Sequence, residues 1–323
     1  MKKVCQYTTD GEFVRSHDSY ADAAKVMGCN ESTVRRSAQR NTIRKGFKWK
    51  LSEDQDETTR HPAKNVKVLL LDIETAPILA SIWRLWKQSV NQTQVESDWF
   101  CLTWAAKWLF DTKVYSDKLT PEEVEDENDG RIMKEIWNLV DEADIIITHN
   151  GDMFDLPRLN TRFLIHRFPP PSPYQSVDTL KAAKKSFAFS SNKLDYINEI
   201  LNLNGKVEHN GFSLWRRCMK GEPAALREME AYNRNDVNIL EELYLELRPW
   251  IKGHPNIGIY SDENQSACPI CGSPEIRKEK GAYRTAVSVF EVFRCQKCKG
   301  IGRFRKTIVP KEKRDKLTIG LAR

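Results

Sequence analysis

Apolar positions along the chain change period several times, and each change marks an element. KVCQYTTDGEFVRSHDS alternates as two short strands joined by a turn at Asp10-Gly11. Ala21, Ala24, Val26 and Met27 then recur at helical spacing, Gly28 ends that helix, and Asn30 or Glu31-Ser32 opens another. The second helix carries Val34, Arg35 and Arg36, and GFKWKL closes the unit as a strand. Residues 1–50 are therefore expected to form a small α+β module with a helix-turn-helix. LSEDQDETTRHPAKN, residues 51–65, is polar and contains proline, as a linker does.

From residue 66 the pattern is that of an α/β domain. VKVLLLDI begins a strand, and WFCLTWAAKWLFD and KVYSD give two more across an Asp111-Thr112 turn. PEEVEDENDGRIMKEIWNLVDEA is a helical region with Ile132, Ile136, Leu139 and Val140 as its stripe. ADIIITHN is a buried strand, DLPRLNTRFLIHRF a helix, SVDTL a strand and NKLDYINEILNL a helix. PAALREMEAYNRNDVNILEELYLELRPW is one long helix that Pro249 terminates. A β meander followed by alternating strands and helices predicts an α/β domain with a mixed sheet and flanking helices over 66–255.

Composition adds a charge pattern. Residues 1–50 hold 11 Lys and Arg against 5 Asp and Glu, and residues 266–323 hold 15 against 5. The middle, 51–265, has 25 against 35, an acidic centre between basic ends that suits a polyanionic partner. Charged residues make up 30% of the chain, and no apolar run approaches eighteen residues, so a soluble protein without membrane contact is expected. The N-terminus, MKKVCQYTTDGEF, lacks the apolar centre of a signal peptide, and a cytoplasmic location is expected.

The chemistry lies in acids that follow apolar runs. Asp72 and Glu74 end VLLLDIE, two residues apart and so on one face of a strand. Asp155 follows IIITHNGDMF, and Asp236 lies four residues after Tyr232, on one face of a helix. Carboxylates at the ends of buried strands are costly without compensation, and a pair of divalent ions about 4 Å apart compensates them while serving phosphodiester hydrolysis. Mg²⁺ or Mn²⁺ suits oxygen donors. Asp72 could bridge both ions, Glu74 and Asp236 complete one, and Asp155 serve the second, with the Tyr232 hydroxyl orienting the attacking water. Each segment alone also reads blandly: a strand end in solvent, a capped loop, a polar helix face.

Together the D-x-E, N-x3-F-D and Y-x3-D segments resemble the three motifs of the DEDDy branch of the DnaQ-like 3′–5′ exonucleases. The proofreading domains of family B DNA polymerases belong to that group. The resemblance covers about residues 66–250 and implies a ribonuclease-H-like fold. It also implies Asp72, Glu74, Asp155 and Asp236 as metal ligands, and Tyr232 where the sister branch has histidine. No histidine fits that branch's spacing to Asp236, and His149 is read as a strand-end residue. Asp152 is set aside because Phe154 immediately precedes Asp155, and Asp178 is taken as structural. Residues 1–50 resemble the modular DNA-binding domains appended to phage and homing nucleases, which hints at a phage context and a host cytoplasm.

Of eight cysteines, four form Cys268-Pro-Ile-Cys271 and Cys295-Gln-Lys-Cys298. Two such knuckles complete a tetrahedral site for one structural Zn²⁺, and the alternating AYRTAVSVFEVFRC between them suits a zinc ribbon over 266–306. Cys5, Cys29, Cys101 and Cys218 read as packing residues, and 307–323 as a basic tail. Candidate nucleic-acid contacts are Arg35, Arg36, Arg40, Lys193, Arg284 and Lys297. Trp83, Trp86, Trp99, Trp104 and Trp108 cluster after the first acidic pair; base stacking is one use, but core packing explains most of them. The expectation is a two-metal 3′–5′ exonuclease that releases mononucleotides from single-stranded or frayed DNA, with replication or recombination proteins as further partners. The alternatives are a ribonuclease acting on RNA, a structure-specific endonuclease, or a non-catalytic nucleic-acid-binding adaptor.

Overall fold

The structure is a computed structural model that describes residues 4–8, 13–40, 43–44, 47–51, 66–87, 89–203, 211–261 and 265–320. The expected Asp10-Gly11 turn, residues 52–65 of the expected linker and the side chain of Arg40 lie outside the described residues. Two compact units divide the chain, Met1–Lys64 and Asn65–Arg323.

In the first unit, β1 (Val4–Tyr7), β2 (Phe13–His17), β3 (Ile43–Arg44) and β4 (Phe47–Leu51) form an antiparallel sheet in the order β2-β1-β4-β3. Helices α1 (Tyr20–Met27) and α2 (Glu31–Arg40) pack on a core of Val4, Ala23, Ala24, Val34 and Trp49. Ser19 caps α1 by accepting from the Asp22 amide at 3.1 Å, and Gly28 ends it at φ 59°, a left-handed conformation in which glycine has no Cβ to clash. The buried stripe differs from the expected one. Ala23 and Ala24 face the core, while Ala21 and Val26 are exposed, because the sheet meets α1 on the side shared with Tyr20.

The second unit is built on β5 (Val68–Thr75). A two-stranded ribbon, β6 (Leu79–Ala80) and β7 (Val95–Ser97), leaves its end and returns to β8 (Cys101–Trp108), followed by β9 (Val114–Lys118). Then come α3 (Pro121–Glu125), α4 (Gly130–Glu142), β10 (Ile145–Thr148), α5 (Asp155–Ile165), β11 (Gln175–Asp178), α6 (Thr179–Ser186), α7 (Leu194–Ile200), α8 (Phe212–Cys218) and α9 (Pro223–Leu247). The sheet order is β11-β10-β5-β8-β9, with β5, β10 and β11 parallel and β8 and β9 antiparallel. This is the mixed sheet with flanking helices expected for the chain.

Three expectations need correction here. SVDTL is not all strand, because Asp178 accepts from the Leu180 and Lys181 amides at 2.9 and 3.2 Å and so starts α6 at Thr179. AYRTAVSVFEVFRC is not one strand either. It spans the turn at Thr285–Ser288 between β12 (Ile276–Arg284) and β13 (Val289–Cys295), and β14 (Ile301–Thr307) completes a three-stranded sheet before α10 (Lys311–Arg314). On α4 the buried stripe is Ile132, Met133, Ile136 and Val140, with Leu139 only half-buried.

Parity along β5 decides where the polar centre falls. Leu69, Leu71 and Ile73 enter the larger core, beneath α4, α5 and α8. Val68 and Leu70 face the other way, onto Val237, Leu240 and Tyr244 of α9. Continuing that second row brings Asp72 and Glu74 opposite the next turns of the same helix, which carry Asp236, Asn233 and Tyr232. An apolar seam thus runs into a polar one along a single strand and helix.

Candidate active site and metal centres

Carboxylate oxygens of Asp72, Glu74 and Asp236 lie within 4.8 Å of one another. They line a cleft of about 420 Å³ together with Asp155, Tyr232, His149, Asn150 and Lys193. Asp155 stands beside this trio, not within it: as the first residue of α5 it accepts from the Ile73 amide at 3.1 Å. The strand that carries Asp72 and Glu74 therefore also anchors the fourth acid. A tight turn makes this possible, since a Cβ on Gly151 would come 2.3 Å from the Thr148 side chain.

The electrostatics are unfavourable without a cation. Burial pushes the Asp72 carboxyl well above its usual range, and repulsion from Asp155, Glu74 and Asp236 pushes it further. The Asn233 side chain, donating to Asp72 Oδ2 at 2.6 Å, acts in the opposite direction. Burial likewise raises Asp155 to about 7, against the lowering effect of the Ile73 amide. Tyr232 is raised first by burial and then by Asp236, to which its hydroxyl donates a hydrogen bond. Grouping hard oxygen donors in this way fits a divalent metal ion, and few other arrangements would offset the repulsion.

The neighbouring polar residues have structural work. His149 bonds Thr179 Oγ1 and the Asn192 carbonyl, both at 2.8 Å, and burial lowers its pKa, so the neutral ring ties β10 to the loop before α7. Asp178 accepts from the Asn150 amide at 3.0 Å as well as capping α6. Asp152 pairs with Lys181 at 2.8 Å on the surface, away from the trio that Asp155 adjoins. Lys193 is exposed at the edge of the cleft, just before α7. Asn233 was not among the residues expected from sequence; its position three before Asp236 on one helix face is the signal that points to it.

Four sulfurs make the second cluster. Cys268, Cys271, Cys295 and Cys298 bring their Sγ atoms within 4.8 Å, with Cys268–Cys298 and Cys271–Cys295 each at 3.6 Å. Tetrahedral thiolates around one zinc ion stand roughly 3.8 Å apart, so the set fits such an ion closely. A hydrogen bond from the Cys268 thiol lowers Cys271 to about 4, and the same contact raises Cys268.

The other candidates fall as follows. Arg35 pairs with Glu31 at 2.9 Å and lies over the Tyr20 ring, while Arg36, Arg284 and Lys297 are exposed. Trp104 is buried, and Trp108 packs against the same core. Trp99 is half-buried under the guanidinium groups of Arg158 and Arg162. Core packing does not hold for Trp83 and Trp86, which are 93% and 79% exposed. The segment they occupy lies between β6 and β7, which among the described residues pair with each other and with no other strand.

Residues 108–248 match the RNase_H superfamily. That match takes in Asp155, Tyr232 and Asp236 and starts after the strand bearing Asp72 and Glu74. Residues 2–38 match the NUMOD1 domain, the homing-nuclease type of helix-turn-helix module. Among solved structures the chain is similar to the family B DNA polymerase from the hyperthermophilic archaeon Pyrobaculum calidifontis, with 19% identity and a TM-score of 0.43. That similarity covers 58% of this chain and 25% of the polymerase chain. No curated protein matches in sequence. The superfamily matched over residues 108–248 consists generally of metal-dependent nucleases, and with the helix-turn-helix match the comparison supports nucleic-acid binding.

Proposed function

We propose that the chain is a 3′–5′ exonuclease acting on single-stranded or frayed DNA ends and releasing mononucleotides. The observation that carries this reading is the convergence of Asp72, Glu74 and Asp236 within 4.8 Å, beside Asp155 and under the Tyr232 hydroxyl. Asp72, Glu74 and Asp236 would hold one Mg²⁺ or Mn²⁺, and Asp155 with Asp72 a second. Such a pair supplies neutralisation of phosphate charge and acidifies a water molecule.

The residues of the chain do the rest. Tyr232 keeps its proton because burial and Asp236 raise its pKa, so its oxygen remains available to accept from and orient the attacking water. Water adds at the terminal phosphorus, the 3′ oxygen of the preceding nucleotide leaves, and a 5′ mononucleotide is released. Lys193 at the cleft edge suits the phosphate of the strand. The N-terminal helices, through Arg35, Arg36 and Arg40, and the cysteine module, through Arg284 and Lys297, would hold the polyanion. The four cysteines fill a tetrahedral set and leave no open position, which suits a structural Zn²⁺.

The test uses 3′-labelled and 5′-labelled single-stranded DNA and RNA with Mg²⁺ or Mn²⁺. A ladder shortening from the 3′ end of DNA is expected. Internal cuts would give an endonuclease and digestion of RNA alone a ribonuclease. Binding of both substrates without digestion of either would leave only an adaptor.

A further inference from the structure

A second crevice opens where the cysteine module meets the nuclease core, and its chemistry is unlike that of the acidic cleft. It measures about 350 Å³, with walls of Val66, Val68, Leu109 and Ile257 and two aromatic rings, Trp108 and Phe110. Cys271 and Lys297 close it from the module side, where the Ile257 amide donates to the Pro269 carbonyl at 2.7 Å. No carboxylate lines it among the described residues.

Phe110 is held in place for display. The residue is 62% exposed, yet its backbone sits at φ 69°, a conformation that a bulky L-residue rarely adopts. The buried Glu241 carboxylate fixes it there, accepting from the Phe110 amide at 2.7 Å while pairing with Lys107. Arg248 lies 5.9 Å from the ring centroid, and its Nε is buried with no hydrogen-bond partner among the described residues. Lys67 is already paired with Glu142, so Arg248 and Lys297 are the cations that the crevice offers.

We propose that this crevice binds a nucleotide, with the base against Phe110 and the apolar walls and the phosphate toward Arg248 and Lys297. Apolar walls with a few converging polar groups are what small-ligand sites require, and a flat aromatic anion meets both halves of this one. The site is distinct from the acidic cleft. Val68 and Asp72 are about 13 Å apart along one strand, and Tyr232 and Leu247, the residue before Arg248, about 22 Å apart along one helix. The nucleic-acid reading of the chain guides the choice of ligand, but the crevice is tested by binding alone. Its failure is therefore separable from a failure of the nuclease reading.

The experiment is photocapture by 8-azidoadenosine 5′-monophosphate, and by the same azido base inside an oligothymidylate, followed by peptide mapping. The zinc-loaded full chain carries Asp72→Asn, so that the strand is not consumed. Label is expected on peptides bearing Phe110 or Lys297, and Phe110→Ala or Lys297→Glu should each cut capture at least fivefold at unchanged melting temperature. The azido nucleoside without phosphate should be captured at least fivefold less. Competition by unlabelled oligothymidylate assigns the site to a nucleotide within a strand, and lack of competition to a free mononucleotide. Label confined to peptides bearing Asp72, Asp155 or Asp236, or capture unchanged in both variants, overturns the proposal and leaves the two cations only to offset the cysteine cluster.

Discussion

Asn233 Nδ2 stands 2.6 Å from Asp72 Oδ2, an interaction that favours the charged form of a carboxylate that burial and three neighbouring acids disfavour. The contact joins the middle of α9 to β5 and aims Asp72 as well as stabilising it. Replacing Asn233 by Leu removes the donor while keeping the volume close. Activity should fall by about 10- to 100-fold, the usual cost of losing a partner of a metal ligand, and more Mn²⁺ should be needed for half-maximal rate. An unchanged metal titration would remove Asn233 from the site.

Asp72→Asn should separate stability from activity. Without divalent ions, Asp72 is buried against three other carboxylates, and neutralising it relieves that repulsion. Stability in Mg²⁺-free buffer should rise by about 1–3 kcal/mol, seen as a higher denaturation midpoint, while hydrolysis falls to background. Loss of both stability and activity would mean that Asp72 has a packing role that outweighs its charge.

The metal-free protein should lose stability as pH rises through neutrality. Asp155 has an ordinary value near 3.8 and is raised to about 7 by burial. The folded state therefore binds its proton more tightly than the unfolded chain does. That contribution is fully present below about pH 4 and is lost as pH rises through 7, on the order of a few kcal/mol. Mn²⁺ favours the ionised form and should raise the melting temperature more at pH 8 than at pH 6. A metal-induced shift independent of pH would show that Asp155 does not release a proton when the ion binds.

Parity makes much of this site legible in the sequence. Asp72 and Glu74 have to share a strand face, and Tyr232 and Asp236 a helix face, whatever the tertiary arrangement. Which faces meet is a different matter. Nothing local to YNRND says that Asn233 reaches a strand more than 150 residues earlier, and nothing in SVDTL outweighs its strand-like composition except the cap that Asp178 provides. Trp83 and Trp86 invite assignment to the core because tryptophan is usually well buried, but burial needs an opposing layer, and among the described residues β6 and β7 pair only with each other. Phe110 is hidden for a related reason: its position depends on Glu241, which arrives from the far end of α9.

Removing a metal ion bound by the four cysteines should unfold that module and spare the sheet around β5. The three-stranded sheet has a small core made largely of Cys268, Ile270, Cys295 and Cys298 with Cys271 against them, so a bound ion would replace much of what packing would supply. Cys271→Ser, or treatment with a zinc chelator, should release one equivalent of Zn²⁺ and expose 266–306 to protease. The sheet around β5 should keep its amide protection. Intact protease resistance after the metal is lost would contradict a structural role.

Trp83 and Trp86 should act on substrate strand affinity without supporting the fold. Both lie in the segment between β6 and β7, the ribbon that follows β5, and Arg84 and Lys87 each follow one of them along the chain. Two exposed indoles interleaved with cations suit stacking on unpaired bases, worth about 1–3 kcal/mol per base. Trp83→Ala with Trp86→Ala should raise KM for single-stranded DNA by about 5- to 100-fold, with little change in kcat or melting temperature. Tryptophan fluorescence quenching by oligothymidylate should shrink in parallel. An unchanged KM would mean that these rings serve a partner other than the strand.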